Sequence, residues 1–251
     1  MIDLIKMLFR IVTYVFKLPF FMIIVIRDLW RFLYNKEYKI FRGYGIHCYV
    51  GLFGAGKTLA QTKKAYALAR RYPDLNIYSN YKLMDFPNME RVHHLRNFQQ
   101  IIDAPPGSLF LIDEIGTLFN SRDWQKFPPD FIYFLFQNRK VRKQILATVQ
   151  VWDKLDKQIR DITFTVRDCK TYLRRWTFIR IYDQVEYSNQ TAVMLRAKPI
   201  GFDNFISRDF HRNLYDTDEM IDKFRKMEFL TLEEKRTQET NVTSINYVKT
   251  K

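Results

Sequence analysis

Short apolar runs alternate with amphipathic segments along most of the chain. Runs of mostly apolar or alternating residues have the lengths of strands, whereas apolar residues spaced three and four apart indicate helices. The predicted strands cover 46–50, 76–80, 108–112, 144–150, 161–167 and 171–182, and the predicted helices cover 58–71, 97–103, 130–140, 152–160 and 216–230. This order predicts an α/β fold with a mainly parallel central sheet flanked by helices.

The first 42 residues have a different pattern. Residues 1–33 are dense in apolar and aromatic side chains, and their basic residues fall within a sector of about 100° on a helical wheel; these are Lys6, Arg10, Lys17, Arg27 and Arg31. The pattern predicts a membrane-associated helix that Pro19 would kink. Residues 7–26 reach the roughly 20 residues of a membrane span only by including two charges. Spanning, in-plane attachment and packing on a protein surface therefore all stay open.

The sequence divides into three predicted regions. Residues 1–42 form the membrane-associated helical segment, 43–230 form the globular domain with a late β-hairpin and a C-terminal helix, and 231–251 form a polar, mobile tail. The 251 residues carry a net charge of +14. This excess predicts a polyanionic partner, which is nucleic acid, an anionic membrane surface or both, although a basic solvated surface is the simpler alternative.

Residues 51–58, Gly-Leu-Phe-Gly-Ala-Gly-Lys-Thr, match the phosphate-binding pattern G-x-x-x-x-G-K-[ST] between a predicted strand and a predicted helix. Glycines let the backbone approach phosphate, Lys57 would reach the β- and γ-phosphates, and the Thr58 hydroxyl would bind Mg²⁺. We therefore predict ATP and Mg²⁺ as cofactors. The predicted nucleotide-binding residues are Gly51, Gly54, Ala55, Gly56, Lys57, Thr58 and Leu59.

Two further strand ends predict catalytic residues. The apolar run 108–112 ends in Asp113 and Glu114, the Walker B arrangement, in which Asp113 would hold the metal and Glu114 would polarise the attacking water. The run 144–150 ends in Gln150, at the strand edge where α/β sheets bind ligands. Gln150 would sense the γ-phosphate or the water, although a surface Gln that caps a strand is the alternative.

Arginines supply two more hypotheses. In multimeric ATPases an arginine of one subunit stabilises charge on the γ-phosphate of the next; the candidates are Arg139, Arg142 and Arg160. The late strands combine basic and aromatic residues that would track single-stranded DNA, namely Arg174, Arg175 and Arg180 with Tyr172, Trp176 and Tyr182. An ordinary hairpin with a solvated polar face is the alternative.

Four motifs together resemble the zonular occludens toxin (Zot) family, the morphogenesis ATPases of filamentous phages and distant relatives of the FtsK/HerA pumps. They are the P-loop at 51–58, Leu-Ile-Asp-Glu at 111–114, the Arg-rich turn and strand at 137–150, and Leu-Asp-Lys-Gln-Ile-Arg at 155–160. The resemblance implies a P-loop NTPase fold. It also matches Lys57 and Thr58 to Walker A, Asp113 and Glu114 to Walker B, Gln150 to the sensor strand and Arg139 to the Arg-rich turn.

The resemblance implies ATP-driven assembly and export of single-stranded phage DNA at the host bacterial inner membrane, with the ATPase domain facing the cytoplasm. The implied partners are single-stranded DNA or a DNA–protein complex, further copies of the chain and other phage assembly proteins. In typical members the P-loop lies near the N-terminus and a membrane span follows it, whereas here residues 1–42 come first.

Other functions stay open from the residues alone. They are a DNA-packaging or DNA-translocating ATPase of another virus or mobile element, and a membrane scaffold that uses nucleotide to assemble with little turnover. A small-molecule kinase on the same fold is a further possibility, but the glutamate at position 114 favours hydrolysis by water.

Overall fold

The structure is a computed structural model that describes residues 2–36, 39–97, 99–118, 137–193 and 197–216. Most of the predicted helix 130–140, almost all of the predicted helix 216–230, and the tail 231–251 lie outside these ranges. The chain divides into two compact units, Met1–Phe41 and Arg42–Lys251.

The first unit is built on one long helix, α1 (Ile2–Tyr34). It continues through Pro19, although that residue cannot donate a backbone hydrogen bond. Most of its large apolar side chains from Tyr14 onward are exposed; Phe16, for example, is 72% exposed and Trp30 is 70% exposed. None of the helices described has a stretch both long and apolar enough for a membrane crossing.

The second unit contains a sheet of eight strands among the described residues. They are β1 (Gly45–Val50), β2 (Ile77–Ser79), β3 (Val92–His94), β4 (Leu109–Ile112), β5 (Gln144–Val149), β6 (Thr163–Tyr172), β7 (Trp176–Asp183) and β8 (Gly201–Ile206). Their order is β3-β2-β4-β5-β1-β6-β7-β8. Pairing is parallel from β3 through β6, and β7 and β8 extend the sheet antiparallel. The predicted mainly parallel α/β sheet is thus confirmed.

The described helices of the second unit lie between these strands, except the last, which follows β8. They are α2 (Lys57–Arg71), α3 (Gln99–Asp103), α4 (Ile115–Leu118), α5 (Asn138–Val141), α6 (Lys157–Ile162), α7 (Gln184–Val193) and α8 (Asp209–Arg212). The central strands β1, β4 and β5 are almost entirely buried, as expected of parallel strands covered on both faces. Their apolar side chains form the main core, with Trp152, Leu155 and Ile159 packed against one face.

The predicted helix 152–160 is wrong in its extent. A 3₁₀ turn covers Trp152–Lys154, Leu155 is extended, and α6 begins at Lys157. The break occurs because the Asp156 carboxylate accepts a hydrogen bond from the backbone N–H of Gln158 at 2.7 Å, which caps a new helix. Five of these strands and helices were not predicted at all: β3, β8, α4, α7 and α8.

Both cysteines, Cys48 on β1 and Cys169 on β6, are buried and free. Burial raises the pKa of each thiol to about 12, so both stay protonated. They are part of the packed interior.

Candidate nucleotide-binding site

The loop at 51–58 follows the carboxyl end of β1 and leads into α2, which begins at Lys57. Gly54 has a φ of 74° and Gly56 a φ of 82°, in the left-handed region that favours glycine. A Cβ atom at Gly56 would lie 2.5 Å from Oγ1 of Thr171. The glycine at this position is therefore required both by the backbone turn and by the neighbouring strand.

That neighbouring strand, β6, holds the loop in place. The hydroxyl of Thr171 donates a hydrogen bond to the backbone carbonyl of Ala55 at 2.9 Å. Thr171 is in turn hydrogen-bonded to the hydroxyl of Thr177 on β7 at 2.8 Å. The late hairpin thus contacts the P-loop directly and stabilises it. No sequence motif indicates this contact.

Lys57 is almost fully buried at the start of α2, and its ammonium donates to the backbone carbonyl of Leu52 at 3.2 Å. The side chain therefore folds back over the loop, in reach of an anion cradled by the backbone N–H groups. The next residue, Thr58, connects the loop to the second motif. Its hydroxyl donates to Oδ1 of Asp113 at 3.0 Å.

Asp113 lies just beyond the end of β4 and is held by three neighbours. Its Oδ1 also accepts a hydrogen bond from the hydroxyl of Thr148 on β5 at 2.5 Å. Asn80, which follows β2, accepts from the Asp113 backbone N–H at 2.8 Å and donates to its carbonyl at 3.0 Å. Three adjacent parallel strands therefore fix the position of this carboxylate.

The pair Thr58 and Asp113 fits Mg²⁺. Magnesium takes oxygen ligands and is usually bound through one or two carboxylates together with substrate phosphates. A hydroxyl and a carboxylate 3.0 Å apart beside a P-loop supply those donors. Bound there, the metal would neutralise charge on the phosphates.

Glu114 and Gln150 are brought together at the ends of β4 and β5. The amide of Gln150 donates to Oε1 of Glu114 at 2.8 Å. The backbone N–H of Glu114 donates to the hydroxyl of Thr148 at 2.8 Å, and its φ of 53° places it in the left-handed region. An uncommon backbone conformation is thus maintained where a catalytic carboxylate is predicted.

A pocket of about 640 Å³ opens above the loop. It is lined by Phe53, Gly54, Gly56, Lys57, Thr58, Leu59, Glu114, Thr171, Arg174, Arg212 and Tyr215. Burial, and next the charge of Asp113, raise the pKa of Tyr215, so its phenol stays protonated and can donate. Sequence reasoning missed Thr171, Arg212 and Tyr215 and assigned Arg174 to DNA binding.

Of the predicted arginine fingers, Arg142 and Arg160 do not line this pocket. Arg160, on α6, forms an ion pair with Asp153 at 3.4 Å. Arg139 belongs to α5, but its side chain lies outside the described part of the structure. Arg142 follows α5 with a φ of 50°. A role for Arg139 or Arg160 in a neighbouring subunit's site stays a prediction.

The predicted DNA-tracking set separates into different places. Tyr172, Trp176 and Arg180 lie on the solvent-exposed face of the hairpin. Tyr182 is only 3% exposed and packs against Tyr187, so its predicted stacking on bases is wrong. Arg175 pairs with Asp209 at 2.6 Å.

The parallel sheet, the glycine-rich loop and the joined Thr58 and Asp113 define a P-loop nucleoside triphosphatase domain. A family model described as Zonular occludens toxin (Zot) matches residues 80–199. The gene 1 protein of Salmonella phage IKe is 27% identical over 46% of this chain and 37% of its own length. These matches confirm the resemblance to the Zot family. It spans well under half the length of that phage protein.

Solved structures with a similar arrangement include the N-terminal domain of zonular occludens toxin from Neisseria meningitidis. It is 15% identical, with a TM-score of 0.49, over 68% of this chain and 98% of that one. Another is the genome packaging NTPase of Sulfolobus turreted icosahedral virus 2 in complex with ATP-gammaS. It is 12% identical, with a TM-score of 0.42, over 64% of this chain and 96% of that one.

Proposed function

We propose that this chain is a Mg²⁺-dependent ATPase that drives the assembly and export of single-stranded phage DNA. The observation that carries the enzymatic part is the 3.0 Å hydrogen bond between Thr58 and Asp113. It joins the Walker A and Walker B residues across 55 positions of sequence. A Gly-rich turn without this carboxylate would bind an anion but would have no second metal ligand.

Each residue of the site has a separate role in the hydrolysis of ATP. The loop amides and Lys57 hold the phosphate chain, and Thr58 with Asp113 would hold Mg²⁺. Glu114 accepts a hydrogen bond from a water and orients it toward the γ-phosphorus. The new P–O bond forms as the bond to the β,γ-bridging oxygen breaks, and the water proton leaves toward Glu114 to give ADP and inorganic phosphate. Gln150 fixes the carboxylate for this step.

Relatedness to a phage gene 1 protein supports a role in phage morphogenesis. A DNA-binding surface is supported by one face of β6, β7 and β8. Four aromatic side chains are exposed on this face: Tyr172 (46% exposed), Trp176 (46%), Phe178 (37%) and Phe202 (73%). These rings line a groove of about 920 Å³ that also contains Lys170 and Arg180, together with the carboxylates Asp168 and Asp203. Exposed aromatic rings with interleaved cations suit bases and phosphates of a single strand.

The enzymatic and DNA-dependent parts can be tested together. We expect purified protein to release phosphate from ATP in the presence of Mg²⁺ and to do so faster with circular single-stranded DNA. Transfer of the γ-phosphate to a metabolite would favour a kinase instead. Nucleotide-dependent assembly with negligible phosphate release would favour the scaffold alternative.

The proposed DNA-binding surface is tested by replacing Trp176, whose side chain is exposed in the groove. Trp176→Ala should weaken binding to a labelled oligonucleotide by roughly 5- to 100-fold, since stacking of one base on an aromatic ring is worth about 1–3 kcal/mol. Trp30→Ala is the control, because Trp30 is also exposed but belongs to α1. Equal DNA affinity in the two variants would refute the proposal that this surface binds DNA. Loss of self-association only would assign the face to a second copy of the chain.

We further propose that α1 attaches the ATPase to the cytoplasmic face of the host inner membrane. Exposed apolar side chains along α1, together with Lys17, Arg27 and Arg31, suit an anionic interface. A variant with these three residues changed to Glu should stop floating with vesicles that contain phosphatidylglycerol. A matched variant, with Lys82, Lys154 and Lys157 changed to Glu, should still float. Equal flotation of both would contradict the attachment.

Homo-oligomerisation with an arginine supplied in trans, from Arg139 or Arg160, completes the proposal. It is tested by mixing subunits that carry Lys57→Ala with subunits that carry Arg139→Ala. Activity should reappear, because some interfaces of a mixed assembly join the intact P-loop of an Arg139→Ala subunit to the intact arginine of a Lys57→Ala subunit. The same experiment with Arg160→Ala distinguishes the two residues. No recovery in either mixture would rule out a shared site.

A further inference from the structure

Two arginines of this chain's own late segments reach the P-loop pocket. Arg174 comes from the turn between β6 and β7, and Arg212 ends α8. Both line the pocket together with Gly56, Lys57 and Thr58. Neither belongs to a nucleotide-binding motif of the sequence.

The position of Arg174 is built into the turn. Leu173 and Arg174 have φ values of 48° and 58°, and the backbone N–H of Arg175 donates to the carbonyl of Tyr172 at 3.0 Å. Left-handed residues at both central positions are the signature of a tight hairpin turn. Across the described part of the chain, the Arg174 guanidinium has no hydrogen-bond or ion-pair partner.

Arg212 is held against this turn. Its Nε donates to the hydroxyl of Ser207 at 3.1 Å, and a terminal nitrogen donates to the backbone carbonyl of Arg174. The backbone N–H of Ser207 donates to the carbonyl of Arg175 at 2.6 Å. The hairpin turn and α8 are therefore tied together, and they carry the two guanidinium groups as a unit.

The charges of the pocket favour a strongly anionic ligand. The basic groups that line it are Lys57, Arg174 and Arg212, and the acidic one among the described residues is Glu114. Guanidinium groups form paired, charge-assisted hydrogen bonds with phosphate oxygens. An arginine beside a phosphate-binding loop that pairs with no carboxylate can bind the phosphate groups of the ligand.

We infer that Arg174 and Arg212 bind the phosphate chain of the nucleotide in cis, from the same subunit that supplies the P-loop. This inference rests on the proposed function, because it requires a nucleotide on the 51–58 loop. The inference adds a second wall to the phosphate-binding site, and the turn between β6 and β7 forms part of this wall.

The inference is tested by equilibrium binding of a fluorescent, non-hydrolysable ATP analogue, which does not depend on turnover. Arg174→Asn removes the guanidinium but keeps a residue that tolerates the left-handed backbone. We expect a loss of affinity of roughly 10- to 100-fold, as for one hydrogen bond to a charged group. Arg212→Gln should show a loss of the same order, and Arg174→Lys a smaller one.

Arg71→Ala is the control for the loss of one positive charge, because Arg71 is exposed at the end of α2 and does not line the pocket. It should bind as the wild type does. Wild-type affinity in both Arg174→Asn and Arg212→Gln, with melting temperatures unchanged, would overturn the inference. Failure of the wild-type protein itself to bind the analogue would instead overturn the proposed function.

Discussion

Gln150 and Glu114, at the ends of two adjacent parallel strands, are joined by a 2.8 Å hydrogen bond from amide to carboxylate. The bond limits the orientations of a carboxylate that faces the P-loop pocket. A carboxylate held in this way can still accept a hydrogen bond from a water.

Gln150→Ala should therefore lower kcat by about 10-fold, while Glu114→Gln should lower it by about 100-fold or more, because general base catalysis supplies 10²–10⁴-fold. Affinity for a non-hydrolysable analogue should change little in either variant, since neither residue belongs to the P-loop. Steady-state rates and equilibrium binding measure the two quantities separately. Unchanged kcat in Glu114→Gln would remove this residue from the mechanism.

Thr148 is fully buried and serves both Walker B residues, as donor to the Asp113 carboxylate and acceptor from the Glu114 backbone. Thr148→Val keeps the shape but removes the hydroxyl that contacts both groups. The free energy of unfolding should fall by about 1–3 kcal/mol, as measured by urea denaturation. Thr148→Ser keeps the hydroxyl and is the control. A Val variant as stable as the Ser variant would show that the two bonds contribute nothing.

Gly54 and Gly56 form a matched pair. Both have positive φ, so alanine at either position costs about 1–2 kcal/mol of backbone strain. Only at Gly56 would the new Cβ collide with Thr171, at 2.5 Å, whereas at Gly54 nothing lies within 4 Å. Gly56→Ala should therefore lower both the melting temperature and nucleotide affinity more than Gly54→Ala does. The opposite ranking in the two assays would contradict the bracing of the loop by β6.

His47 should make the fold sensitive to mild acid. Its Nε2 faces the carbonyl of Tyr44 at 3.2 Å, which can only accept, so Nε2 carries the proton and Nδ1 accepts from the hydroxyl of Thr165 at 2.7 Å. Burial first, and the charge of Arg167 next, lower the pKa of His47 from 6.5 to about 3.

Because the unfolded chain binds this proton below pH 6.5 and the folded one does not, stability is lost as pH falls from 6.5 toward 3. At pH 5 the loss from this group is about 2 kcal/mol relative to pH 7.5. His47→Gln should lack this increment when urea unfolding is measured at both pH values. A difference between wild type and variant that does not change with pH would contradict the buried neutral imidazole.

The motif-bearing part of the site could be predicted because its backbone is fixed locally. Glycines and a following helix shape the P-loop, and apolar runs end where Asp113 and Gln150 begin. The parallel pairing of β4 with β5 then places these strand ends side by side. Short-range patterns were sufficient to locate these residues in the loop and at the strand ends.

The second wall of the site could not be predicted for the converse reason. Thr171 and Arg174 reach the loop only because β6 pairs with β1, and that pairing is a long-range event without a motif. Arg212 and Tyr215 follow β8, a strand of mostly exposed residues that carries little periodic signal. Asn80, which fixes the Asp113 backbone, likewise ends a strand of only three residues.

The central claim, hydrolysis of ATP on the loop at 51–58, is tested most directly by phosphate release from ATP and Mg²⁺. Purified wild-type protein is compared with Lys57→Ala, Asp113→Asn and Glu114→Gln. The melting temperatures of the variants are first shown to match that of the wild type. We predict turnover in the wild type and a loss of about 100-fold or more in Glu114→Gln with nucleotide still bound. A wild type that binds ATP but releases phosphate no faster than these variants, with or without single-stranded DNA, would contradict the account.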